Sequence, residues 1–178
     1  MSQIIPLFKR MAVKEPSDNI GEGRLEKFFI FTISEKVFAI PAVDISEVAA
    51  YSSLIEIPHN SEIISGVVNV RGNIIPIVNL RKRLDLLPDY QITGKTKIIY
   101  FKAKQDFFIG MIVDDIDFRL TEGIILPKSN TNQIPNDKDI AEVVMEEKNT
   151  ESHFPVFFID NYIKQNEFSD LQKVLESF

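Results

Sequence analysis

Two apolar runs, 64–70 and 74–80, flank the polar break Arg71-Gly72-Asn73. Both are rich in branched aliphatic residues, which predicts two strands, and the break predicts a tight hairpin turn with Arg71 projecting from it. A strand-like pattern begins upstream at residue 27. Residues 28–33 and 37–40 form a second hairpin around a turn at 34–36, stopped by Pro41. A short helical or irregular piece over 42–48 and an extended segment over 49–57 complete a group of about five strands.

The same order recurs about 70 positions later. Residues 98–103, a turn at 104–106 and residues 107–113 repeat the opening hairpin, with Phe38 on Phe108, Val43 on Val113 and Asp44 on Asp114. Ile57-Pro58 then matches Leu126-Pro127, Val67-Val68 falls near Val143-Val144, and 77–79 near 158–160. The repetition predicts a duplicated small β-barrel: lobe one at about 27–87, lobe two at about 95–160, and a groove between them as the natural binding site. Residues 86–95 read as the inter-lobe connection and 128–138 as a surface loop. Apolar positions Ile163, Leu171, Val174, Leu175 and Phe178 predict a C-terminal helix over about 162–177, with Ser169 as its cap. Residues 1–26, with Pro16, Gly21 and Gly23, read as a flexible arm whose apolar front, 4–11, is a candidate docking or membrane-surface segment.

Composition narrows the class. Fourteen phenylalanines and no tryptophan in 178 residues, with abundant Ile and Val, favour an all-β chain with a terminal helix. A formal charge of −6 argues against nucleic acid, whose binding needs clustered Lys and Arg. Zero cysteines exclude disulfides, iron–sulfur clusters and thiolate chemistry. No apolar run reaches the roughly 18 residues of a membrane span, so no direct membrane insertion and a cytoplasmic location are expected.

Catalytic groups are sparse. The two histidines, His59 and His153, have no zinc-type spacing and read as surface-loop residues. Seven dispersed glycines supply neither a phosphate-cradling loop nor a nucleophile elbow. Asp114, Asp115 and Asp117 lack the glycine and closing acid of a calcium loop and read as a solvated acidic turn. The expectation is therefore no catalytic residue, no metal and no cofactor. Glu47 sits in the alternating segment after the first hairpin, where its carboxylate could meet Arg71. An exposed pair would contribute about 0–1 kcal/mol, too little for stability alone to explain the position, but on a groove rim it would orient a planar donor toward a partner.

The segment ISGVVNVRGNIIPIVNLRKRL resembles the central signature of the CheW family of chemotaxis coupling proteins, in which a G-x-x-N-x-R-G turn leads to a strand ending near L-R. FFIFTISEKVFAIPAVDISEV is similar to the family's opening hairpin and V-x-E segment, and FFIGMIVDDI to its G-x-x-V-D strand. The resemblance spans about 27–164. It implies two small five-stranded β-barrel lobes with a C-terminal α-helix, and a non-enzymatic adaptor. Its partners would be the cytoplasmic tip of methyl-accepting chemoreceptors and the regulatory domain of a CheA-type histidine kinase, at membrane-associated receptor arrays. Carried over by position, it implies a receptor-binding set of Ile45, Glu47, Gly66, Arg71 and Gly72, and a kinase-facing set of Ile98 and Ile116. The chain departs from the family at Asn79, where an acidic residue is common, at Ala141-Glu142, where a glycine is usual, and in its longer arm. A CheW-like adaptor of a pilus-motility or other chemosensory-like pathway is the alternative, and a small-molecule-binding β-barrel a rival from another class.

Overall fold

The computed structural model describes residues 25–57, 63–81, 83–84, 86, 91–102, 108–124, 154–159, 163 and 165–176. The expectations for the arm before residue 25, His59, the Lys104 turn, 126–144, His153 and Asp160 lie outside the described residues. Eight strands are described: β1 Leu25–Ile33, β2 Lys36–Pro41, β3 Ile45–Ala50, β4 Ile64–Val70, β5 Asn73–Val78, β6 Lys97–Lys102, β7 Phe108–Val113 and β8 Asp115–Ile124. A single 3-10 turn, Ala42–Asp44, separates β2 from β3, and helix α1 spans Gln165–Glu176. The helix thus begins four residues before the serine expected to cap it. Of the acidic run expected as a turn, Asp114 stands at a bend and Asp115 and Asp117 lie in β8. Its alternating Ile116, Phe118 and Leu120 are the period-two signature of a strand.

Neither sheet is built from one half of the sequence. The three-stranded sheet has the order β2-β1-β8 and the five-stranded sheet the order β3-β6-β7-β5-β4. The lobe boundaries expected at about 27–87 and 95–160 therefore cut across both sheets. The repeat is nevertheless visible in the pairing, with its third strand exchanged. Hairpin β1–β2 receives β8, which follows hairpin β6–β7 in sequence, and hairpin β6–β7 receives β3, which follows β1–β2. Phe31 lies opposite Phe38 and Ile116, while Phe101 lies opposite Ile109 and Ile45. All six side chains enter one core. The next strand repeats the pattern, since β5 runs parallel to β7 and Val156 bridges in parallel to Ala39 of β2.

The five-stranded sheet closes on itself. After β3 the chain continues alongside β4, and Ile55 and Val67 exchange reciprocal backbone bonds of 2.8 and 2.9 Å. Val68, Ile75, Ile77, Ile98, Tyr100 and Ile112 fill its inside. The main core lies between the two sheets, where Phe31 and Phe38 stack at 5.4 Å and Phe157 meets Phe31 edge-on at 5.6 Å. Each such ring contributes roughly 1.5–3 kcal/mol through burial alone. A smaller cluster of Phe28, Ala39 and Val156 covers the far face of the three-stranded sheet. Leu171 of α1 and Ile163 enter the main core, and a two-pronged Arg83–Glu167 contact of 3.0 and 2.5 Å fastens the helix start. The duplicated hairpins thus meet across a shared core, with the Arg71 turn at the tip of the β4–β5 hairpin.

Candidate functional site

Arg71 and Gly72 form a two-residue turn between the paired residues Val70 and Asn73. Both take positive φ, +54° at Arg71 and +89° at Gly72. Such a turn matches the right-handed twist of its flanking strands, which is why Asn-Gly is the usual choice. Glycine meets the demand at position 72 without steric cost, whereas arginine at 71 carries a Cβ into the left-handed region. Asn69 steadies the turn, its Oδ1 accepting the Gly72 N–H at 2.8 Å. Arg71 is exposed and, among the described residues, makes neither a hydrogen bond nor an ion pair.

Glu47 stands on β3 opposite Tyr100 of β6, just after a register shift at which Ser46 is the extra residue. That bulge turns Glu47 to the same side as Ala49, the face packed inside the five-stranded sheet. Burial and the neighbouring Glu47 charge push the Tyr100 hydroxyl up to about 12. The expected Glu47–Arg71 pair is not formed, because Glu47 turns toward Tyr100 while Arg71 leaves the hairpin tip. Gly66 is buried where β4 meets the chain after β3. A Cβ there would lie 2.7 Å from the Ile55 carbonyl oxygen, at a φ of +146°. Its role is close backbone approach. Ile45 packs into the main core opposite Phe101.

The kinase-facing assignment needs correction at both residues. Ile98 is 0% exposed inside the five-stranded sheet, and Ile116 is 5% exposed in the main core. Neither side chain offers a surface to a partner. The exposed apolar residues nearby are Phe118 (56%) and Leu120 (48%) on β8. They point outward because the β1–β8 register breaks between Phe28 and Ile30, where three β8 residues, 118–120, stand against Phe29 alone. The Ile-x-Phe-x-Leu alternation could have revealed this strand, but its acidic neighbours suggested a turn.

The acidic residues do separate jobs. Asp117 binds Arg119, whose guanidinium holds the carboxyl below the usual carboxylate range, and Asp115 pairs with Lys95 at 3.3 Å. Asp114 binds the Arg81 guanidinium, which is 1% exposed, and accepts the Ser34 N–H at 2.6 Å. Asn79 supplies a neutral acceptor to the Arg81 backbone at 3.1 Å and side chain at 3.2 Å. Among the described residues no group of three or more His, Cys, Asp or Glu side chains is placed to hold a metal ion, and no helix is long and apolar enough to cross a membrane.

Residues 27–121, just over half the chain, match the family model described as CheW-like domain. The chain belongs to the CheW family. It is 31% identical over 125 residues to the chemotaxis protein CheW of Bacillus subtilis (strain 168), covering 70% of this chain and 79% of that one. To the chemotaxis protein CheW of Thermotoga maritima it is 35% identical over 94 residues, covering 52% and 60% respectively. The fold matches the crystal structure of the scaffolding protein TtCheW from Thermoanaerobacter tengcongensis with a TM-score of 0.64, covering 81% of this chain and 96% of that one at 22% identity. This CheW-like chain is thus a chemotaxis adaptor of mostly β structure in two sheets.

Proposed function

We propose that this protein couples the cytoplasmic tips of chemoreceptors to a CheA-type histidine kinase, acting in the cytoplasm at receptor arrays without chemistry of its own. The observation that carries the reading is Arg71, an exposed side chain on a left-handed backbone at the tip of a rigid hairpin. Strained non-glycine residues concentrate at functional sites, and among the described residues no hydrogen bond or ion pair of Arg71 offsets the cost. Arg71 is the receptor-side donor, Gly72 shapes its turn, Glu47 supplies negative charge on the same sheet, and Ile45 and Gly66 hold the strands that carry them. The exposed Phe118 and Leu120 on β8 replace Ile98 and Ile116 as the kinase-side surface, since exposed apolar clusters mark interaction sites. Contacts of this size are weak singly and gain strength by repetition in an array. Receptor-dependent kinase activation with Arg71→Glu tests the reading. Activation falls at least tenfold with the fold intact, and unchanged activation removes Arg71 from the mechanism.

A further inference from the structure

The Arg71 hairpin lies on the five-stranded sheet, and Phe118 and Leu120 lie on the three-stranded one. One polar cluster joins the ends of the strands that carry them. Strand β5 starts at the Arg71 turn and ends just before Asn79 and Arg81. The buried Arg81 guanidinium reaches Asp114, the one residue between β7 of the five-stranded sheet and β8 of the three-stranded sheet, so the link across the sheets runs from Arg81 through Asp114 to the β1–β2 turn. Asp114 also receives the Ser34 N–H at 2.6 Å from the β1–β2 turn, and its own N–H donates to Thr32 O at 2.9 Å. Ser34 and Glu35 carry positive φ, so the turn they form holds a fixed shape around that carboxylate. Arg81 is held in its own loop by Asn79 and by the Leu86 N–H to Arg81 carbonyl bond of 2.8 Å.

The geometry points to Arg81 and Asp114 as positioning residues: a strut that fixes the five-stranded sheet against the three-stranded sheet and so carries partner engagement at the Arg71 hairpin to β8. A planar guanidinium suits this role, because its fixed fork constrains direction as well as distance. The strut follows from the contacts themselves, while its signalling consequence rests on the coupling function proposed above.

Arg81→Met separates positioning from folding. Methionine fills the buried volume, and the Asp114 side chain, 31% exposed, stays hydrated and keeps its Ser34 bond. The chain has no cysteine, so nitroxide labels enter cleanly at Glu35→Cys on the β1–β2 turn and Asn73→Cys beside the Arg71 turn, both exposed. In this doubly labelled chain, Arg81→Met at least doubles the width of the electron-spin distance distribution while circular dichroism is retained. An unchanged width overturns the strut. In the unlabelled full-length chain, with the chemoreceptor cytoplasmic fragment and CheA-type kinase of the same genome, Arg81→Met keeps both binding constants within twofold and lowers receptor-dependent kinase activation at least fivefold. Wild-type activation with binding intact overturns the transmission role. Should the parent chain activate no kinase, the coupling reading fails and the distance width alone decides the strut. Asp114→Asn, which leaves a buried guanidinium facing a neutral amide, broadens the same distribution; a width as narrow as in the parent chain overturns the proposal.

Discussion

Replacing Arg71 by asparagine should make the protein more stable and less functional at once. At φ +54° an L-residue meets a steric cost of about 1–2 kcal/mol, which asparagine lowers through its short polar side chain. Against that gain the wild-type side chain sets nothing local, being exposed and without hydrogen bond or ion pair among the described residues. The net expectation is a gain of about 1 kcal/mol, or roughly 2–4 °C in Tm for a chain of this size. Arg71→Gly gains less, because glycine also enlarges the unfolded ensemble by about 0.4–1 kcal/mol. Arg71→Ala keeps the steric cost and removes the guanidinium, so it leaves Tm unchanged and still loses coupling. Urea melts with an unchanged slope, alongside receptor-dependent kinase activation, read both quantities. A lower or unchanged Tm for Arg71→Asn refutes the strain argument. A stabilised variant that couples fully refutes the claim that the strain is retained for function.

Two further outcomes follow from the same geometry. Gly66→Ala places a methyl 2.7 Å from the Ile55 carbonyl at φ +146°, so the closure of the five-stranded sheet must yield; a loss of at least about 2 kcal/mol in urea melts is expected, and a loss under 0.5 kcal/mol contradicts the contact. Tyr100, raised to about 12 by burial and then by Glu47, holds its proton more tightly folded than unfolded. Its stabilising contribution is therefore complete below the ordinary tyrosine pKa near 10 and is lost as pH rises from about 10 toward 12. Tyr100→Phe flattens that alkaline decline in thermal melts, and an equally steep decline assigns it elsewhere.

Short-range features were legible along the chain. The Arg71-Gly72 turn, both opening hairpins and the C-terminal helix each rest on alternation or a local conformational demand that nearby residues express. The recurrence of the hairpin was legible too, but its register was not: in the pairing Phe38 corresponds to Ile109, 71 positions on, while Phe108 is exposed, and Val43 is exposed where Val113 is buried. Arg81 carries no local signal of its burial. A charged residue after a strand reads as solvated, and its burial depends on Asp114, 33 positions away. The burial of Ile98 and Ile116 is hidden for a related reason: an aliphatic residue in a strand is equally suited to a surface patch and to a core, and the facing element decides which.

By itself the sequence determined an all-β chain of repeated hairpins, its family, and a guanidinium on a tight turn, since backbone geometry and alternation are local properties. The tertiary structure decided that the repeats exchange their third strands, that Glu47 turns toward Tyr100 instead of Arg71, and that Phe118 and Leu120 reach solvent while Ile98 and Ile116 do not. Each of those outcomes depends on which distant strand pairs beside a residue and in what register. A single-residue bulge is enough to redirect a side chain, and its position is set by the partner strand as much as by its own sequence.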